Sequence, residues 1–205
     1  MLPFFLCYNS HMRRKGLDFR RKPKKKIKPE TFREIFSWLF WLTISAVTAF
    51  VLVWVFGLRT NVVGNSMEPT LYSAQNILLN RLIYNISEPK YGDVIAFKPN
   101  GNENSHYYIK RVIGVPGDTV QITDGYIYIN GEKLIEDGDF DRIADPGIAE
   151  TEIYLDEDEY FVLGDNRNFS EDSRSGNIGI VKSSYIYGKV WFKLSTELEY
   201  MGFVK

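Results

Sequence analysis

The chain has little of what many hydrolases and secreted folds rely on. Among its 205 residues are one cysteine, Cys7, and two histidines, His11 and His106. A single cysteine excludes an intrachain disulfide. Because it lies close to the N-terminus, everything after it must be held by its core and offers no thiolate to a metal. A Ser-His-Asp triad would have to rest on His106 alone, since His11 belongs to a basic leader; His106 itself ends a loop-like Asn-Glu-Asn-Ser-His stretch. Charge is absent as well over Ile35 to Leu58, 24 residues rich in Trp, Phe, Leu and Val. At helical rise such a run spans the roughly 30 Å hydrocarbon core with some tilt. The apolar part of a cleaved secretory signal is shorter, about 7 to 15 residues, and precedes small residues. Here Arg59-Thr60-Asn61-Val62-Val63 follows instead. Residues 35–58 are therefore expected to be a retained transmembrane helix, with Trp38, Trp41 and Trp54 near its ends at headgroup level.

What charge there is falls unequally on the two sides of this run. Residues 1–34 hold 11 Lys/Arg against 3 Asp/Glu, net +8, and residues 59–205 hold 14 against 23, net −9. The basic leader is expected in the cytoplasm, in reach of anionic lipid, which puts residues 59–205 on the outer face of the cell membrane. An acidic folded part without a basic stripe argues against a nucleic-acid partner. Residues 1–11 differ in character from the basic run that Met12 opens, so translation is expected to start at either Met1 or Met12.

Beyond the anchor, short apolar runs broken by Gly, Pro, Asn and Asp predict a mainly β fold: one compact antiparallel β domain over residues 59–205. Candidate strands are Asn76 to Ile83, Asp93 to Phe97, Tyr107 to Val115, Thr119 to Ile122, Tyr126 to Ile129, Glu159 to Leu163 and Lys189 to Leu194. Asp124-Gly125 and Asn130-Gly131 are hairpin signals, because both central residues of such a turn need positive φ. Ile135 to Asp158 is acidic and poor in large apolar residues, which predicts a surface excursion.

Two dense segments carry candidate chemistry: Gly64-Asn65-Ser66-Met67-Glu68-Pro69-Thr70, and Lys110-Arg111-Val112-Ile113-Gly114-Val115-Pro116-Gly117-Asp118. A serine hydroxyl is a poor nucleophile until a base takes its proton, and a neutral lysine amine is one such base. By itself, Ser66 also reads as a turn serine and Lys110-Arg111 as two solvated cations. On a strand, alternation would put Tyr108, Lys110 and Val112 on one face and Ile109, Arg111 and Ile113 on the other. Lys110 can then be desolvated while Arg111 meets a carboxylate. A solvated lysine titrates near 10.4, and lowering it toward neutrality by about 3 units corresponds to about 4 kcal/mol of preference for the neutral amine.

With these segments stand Tyr91-Gly92-Asp93-Val94 and Gly164-Asp165-Asn166-Arg167-Asn168-Phe169-Ser170-Glu171-Asp172-Ser173-Arg174. In this order after an anchor, the chain resembles the bacterial type I signal peptidases, membrane-bound Ser-Lys proteases that remove signal peptides from exported preproteins. The resemblance covers most of residues 36–194 and implies Ser66 as nucleophile and Lys110 as general base. It implies that Ser170 orients the lysine amine, that Asp165 pairs with Arg111, and that Asp172 and Arg174 form a supporting pair, with Arg167 a further candidate partner for the acids. Family members stabilise the oxyanion with the nucleophile's N–H and often a hydroxyl two residues earlier, where this chain has Gly64. The resemblance further implies cleavage after small-x-small residues, Met67 lining the first pocket, and exported preproteins as substrates, with the bilayer and the export machinery as partners. No cofactor or metal is expected. Phe192, Met201 and Phe203 are candidates for touching lipid. Alternatives are a dedicated pilin-processing Ser-Lys protease and a non-catalytic membrane-tethered domain that binds peptides.

Overall fold

A helix opens the computed structural model, which describes residues 29–56, 58–136, 138–194 and 201–204. Cys7, His11, Met12, the leader's basic run through Lys28 and the side chain of Trp54 lie outside these. Helix α1 is Pro29–Phe56. The helix thus takes in Arg33 and Glu34 ahead of the uncharged run. Every side chain from Thr31 to Val53 is exposed, and this 23-residue stretch, with mean hydropathy 2.0, is long and apolar enough to cross a membrane. The helix ends before Leu58, where the anchor was expected to end. Leu58 instead opens a strand, pairs with Leu79 and packs on a core cluster, so β pairing takes it from the helix.

The described residues fall into two units that divide between Ile44 and Ser45, with the strands in the second. In chain order the strands are β1 Leu58–Asn61, β2 Asn76–Asn80, β3 Val94–Phe97, β4 Tyr108–Gly114, β5 Thr119–Thr123, β6 Tyr126–Ile129, β7 Glu132–Lys133, β8 Ile153–Tyr154, β9 Glu159–Leu163, β10 Val181–Lys182, β11 Ile186–Lys193 and β12 Gly202–Phe203. They build one sheet in the order β1-β2-β11-β3-β4-β9-β10, with β12 on β11, and a second in the order β7-β6-β5-β8; the pairings are antiparallel. The two predicted hairpins join β5 to β6 and β6 to β7, with φ of 54° and 77° at Asp124-Gly125 and 54° and 79° at Asn130-Gly131.

Strand β4 lies between β3 and β9 and is buried from Ile109 to Gly114. Its side chains feed all three core clusters: Ile109 packs with Met67, Leu71 and Leu79; Ile113 with Val120, Leu155 and Phe161; Val112 with Ile95, Phe97 and Val162. Each such side chain stabilises the fold by about 1.5–3 kcal/mol relative to exposure. The stretch after Ile135 is for the most part the exposed surface excursion that its acidity suggested, but it is pinned inward at three points. Ile143, Ala149 and Leu155 are buried in the cluster under the second sheet, and β8 extends that sheet. Val120, Ile122 and Ile127 need an apolar cover, and three well-spaced residues supply it.

Candidate active site

The loop between β1 and β2 carries Ser66. Its ends are clamped by Val62 N–H donating to Gln75 O at 2.9 Å and Ala74 N–H donating to Val62 O at 2.9 Å. Met67 and Leu71 anchor it by complete burial in the first core cluster. The third motif holds the serine from the other side: Asn166 N–H donates to Ser66 O at 3.0 Å, and Asn166 Nδ2 donates to Asn65 O at 3.1 Å. The backbone is thus pinned on both sides of a half-buried hydroxyl.

Lys110 stands in the middle of β4, opposite Ile95 of β3, and is 3% exposed. Its Nζ donates to Ser66 Oγ at 2.7 Å. Burial pushes the amine down to about 8; the charges of Asp172, Glu171 and Asp165 oppose this and Arg174 adds to it. Among the described residues none of these carboxylates forms an ion pair with Lys110. A lysine with these properties can give up its proton near neutral pH and then accept one from the hydroxyl it touches.

Arg111, the next residue, is handled oppositely. Its Nε and Nη2 donate to the two oxygens of Asp165 at 2.7 and 2.6 Å, and its Nη1 donates to Gly92 O at 2.9 Å. Burial works to lower its pKa, but the hydrogen bonds and charge of Asp165 outweigh that and hold it above the ordinary arginine value. The expected Asp172-Arg174 pair is also present: Arg174 Nε and Nη2 reach the Asp172 oxygens at 2.8 Å each, and Gly164 N–H donates to Asp172 at 3.0 Å. Arg167 was a candidate partner for these acids. It pairs with Glu136 instead, at 2.7 and 2.5 Å, and its guanidinium lies 4.4 Å from the Phe140 ring. With Asp165 and Asp172 each filled by a bidentate arginine, the buried Arg167 needed a third carboxylate.

One expectation about the supporting residues changes, and two others gain detail. Ser170 does not bond the lysine amine: its Oγ is shielded from solvent and has no hydrogen-bond partner among the described residues. It is nonetheless close by, for a Cβ built on Gly164 would lie 2.1 Å from Ser170 Oγ and 2.4 Å from Ser66 O. Only glycine lets those two groups close in on the strand end. Met67 borders the groove beside the dyad but is itself fully buried, so it backs a pocket from the core. Gly64 has a φ of +83° with nothing within 4 Å of a built Cβ. Backbone conformation, not crowding, selects glycine there. No side-chain donor exists at that position, and among the described residues the Ser66 N–H has no acceptor of its own.

The groove has a volume of about 260 Å³, is bordered by Val62 to Met67, His106 to Lys110, Phe169 and Glu171, and contains both Ser66 and Lys110. His106 is exposed at its edge, and the Ser66 hydroxyl is bonded to Lys110 rather than to an imidazole. Among the described residues no group of three or more His, Cys, Asp or Glu is placed to hold a metal ion. Elsewhere in the second unit, Met201 and Phe203 are exposed and the half-buried Phe192 stacks edge-on with Phe203 at 5.4 Å. Sequence reasoning missed Glu136, whose acidic surroundings gave no sign of its partner, and gave Gly164 and Asn166 no role although both stand in the third motif.

Comparison with known proteins gives a consistent result. The family model described as signal peptidase, peptidase S26, matches residues 35–195. Signal peptidase I of Bacillus licheniformis is 33% identical over 176 residues, covering 77% of this chain and 87% of that protein. Signal peptidase IB of Staphylococcus aureus (strain COL) is 33% identical over 180 residues, covering 78% and 90%. A crystal structure of a signal peptidase I from Enterococcus faecalis V583 is 34% identical, covering 51% of this chain and 98% of that one, with a TM-score of 0.41.

Proposed function

The chain belongs to the signal peptidase family, peptidase S26, and is a serine endopeptidase; on that premise we propose that Ser66 is its nucleophile and Lys110 its general base. The observation that carries the assignment is the 2.7 Å contact between Lys110 Nζ and Ser66 Oγ on a buried, carboxylate-free lysine. The neutral amine takes the hydroxyl proton as Oγ attacks the scissile carbonyl. The resulting ammonium then protonates the departing amine, leaving an ester on Ser66. A water, deprotonated by Lys110 in turn, hydrolyses that ester. The oxyanion is received by the Ser66 N–H, one preorganised donor being worth about 2.7–4 kcal/mol. Asp165 keeps Arg111, the second cation of β4, fixed and away from the reacting pair, and Asp172 with Arg174 holds the Gly164 turn against Ser66.

The substrates are signal-peptide-bearing preproteins, cut after small residues that fit a groove of about 260 Å³. The bound segment runs extended, so main-chain bonds hold it while alternate side chains are read. The uncharged part of helix α1, from Ile35, serves as the anchor, residues 1–34 as a cytoplasmic leader and residues 59–205 as the catalytic domain on the outer face. Phe203 and Met201 touch lipid, and the precursor is met as it leaves the export machinery. Sharing one membrane raises the effective concentration of enzyme and precursor. The test is cleavage of an exported precursor in liposomes by wild type, Ser66→Ala and Lys110→Met. Wild type is expected to cut and both variants to fail; equal cleavage by all three overturns the dyad.

A further inference from the structure

The rim of the groove carries a carboxylate that the reaction does not use. Glu171 borders the same space as Ser66 and Lys110 and is exposed. Its Oε1 accepts from Asn177 Nδ2 at 3.0 Å, and Asn177 O in turn accepts from Asn100 Nδ2 at 3.1 Å, so the loop carrying this carboxylate is tied to the turn after β3. Among the described residues no lysine or arginine forms an ion pair with Glu171. The other charged or titratable side chains on the groove are Lys110, His106, Tyr107 and Tyr108, so Glu171 is the one carboxylate among its lining residues. A substrate in the groove therefore meets one fixed, uncompensated negative charge next to the dyad. That charge is felt there: after burial and Asp172, Glu171 is the next influence on the Lys110 amine.

Building on the dyad reading, we propose that Glu171 is a specificity-determining residue, which favours substrates with a cationic side chain flanking the scissile bond and disfavours those with an acidic one. A carboxylate already held by Asn177 loses little further freedom when a cation approaches, whereas a second carboxylate brought into the groove meets unscreened repulsion. Lys110 itself is too enclosed to offset it.

The experiment uses the full chain in detergent and a peptide series with one small-x-small cleavage sequence, varied to Lys, Gln or Glu at each neighbouring position in turn. For wild type, Glu171→Gln and Glu171→Lys, kcat/KM is ranked within each enzyme, which cancels any change in the reactivity of Lys110. At one or more positions, wild type is expected to prefer Lys over Glu by about fivefold, the scale of a single exposed charge pair. The preference is expected to flatten in Glu171→Gln and to invert in Glu171→Lys, and to shrink in 1 M salt, where the screening length is about 3 Å. The same ranking in all three enzymes overturns the proposal. Ser66→Ala is run alongside: cleavage by that variant sinks the dyad reading instead, so the two failures are told apart.

Discussion

Lys110 and Arg111 are consecutive residues on one strand, both buried, yet their surroundings do opposite things to them. On the Lys110 side the amine meets a serine hydroxyl and the Tyr108 ring, 5.7 Å away, with carboxylates felt only at a distance. On the Arg111 side two oxygens of Asp165 and a backbone carbonyl saturate the guanidinium. Burial is the largest influence on both. The difference is whether a carboxylate is allowed within hydrogen-bond reach, and that decides whether a buried cation becomes a titratable base or a permanent strut.

The comparison breaks most visibly when each cation is removed. Lys110→Met is expected to lower kcat on a peptide substrate by about 10²–10⁴, the range of a lost general base. It is also expected to raise the thermal midpoint, because holding an amine at about 8 instead of 10.5 costs the fold on the order of 3 kcal/mol at neutral pH. Arg111→Met is expected to destabilise by about 3–5 kcal/mol, since it strands Asp165 without a partner. Thermal unfolding of the full chain in detergent checks both, and shifts of the same sign would remove the distinction drawn between the two faces.

The pH profile sharpens the same contrast. The reactive amine is the neutral one, so with a pKa of about 8 the log of kcat/KM is expected to rise by about one per pH unit between 6 and 8 and then level off. Stability follows the same group. Between about 8 and 10.5 the unfolded chain binds a proton that the folded chain has released, so the stability contributed by Lys110 rises with pH in that window, and below it the penalty is constant. The gap in midpoint between wild type and Lys110→Met is therefore expected to close as pH is raised from 8 to 10.5, whereas Arg111→Met is expected to show no such dependence.

Much of this contrast was legible before any coordinates. Alternation along Tyr107 to Val115 separated the two cations, the uncharged run marked α1, and Asp-Gly and Asn-Gly placed two hairpins. Local chemistry writes such features directly: a period of two, a glycine at positive φ, a length without charge. Illegible were the short strands β7, β8, β10 and β12, whose two-residue pairings have no periodicity to read. Glu136 was hidden for a related reason. Its partner Arg167 lies 31 positions away, and only the filling of Asp165 and Asp172 by other arginines makes that pairing necessary. The buried role of Ile143, Ala149 and Leu155 was masked by their acidic neighbours, because burial is decided by the sheet they cover and not by the average of the segment.

The smallest expected effect concerns Ser170, whose Oγ is shut away beside the serine loop with no partner among the described residues. Its use is expected later in the reaction, before the leaving amine is protonated. While Ser66 is free, the lysine amine has the hydroxyl as its partner; once Ser66 Oγ is bonded to the substrate carbon in the tetrahedral intermediate, the ammonium has lost that hydroxyl and the neighbouring Ser170 hydroxyl is expected to replace it. Ser170→Ala is therefore expected to lower kcat by roughly 3- to 10-fold, the scale of one hydrogen bond, with KM unchanged. The folded protein loses no bond in the substitution and sheds an unsatisfied buried hydroxyl, so its thermal midpoint is expected to hold or to rise by an amount equivalent to about 1 kcal/mol. Ser170→Thr, which keeps the hydroxyl, should retain more of kcat than alanine if the added methyl is accommodated. A midpoint that falls together with kcat in the alanine variant would make Ser170 a packing residue and leave Lys110 without a second acceptor.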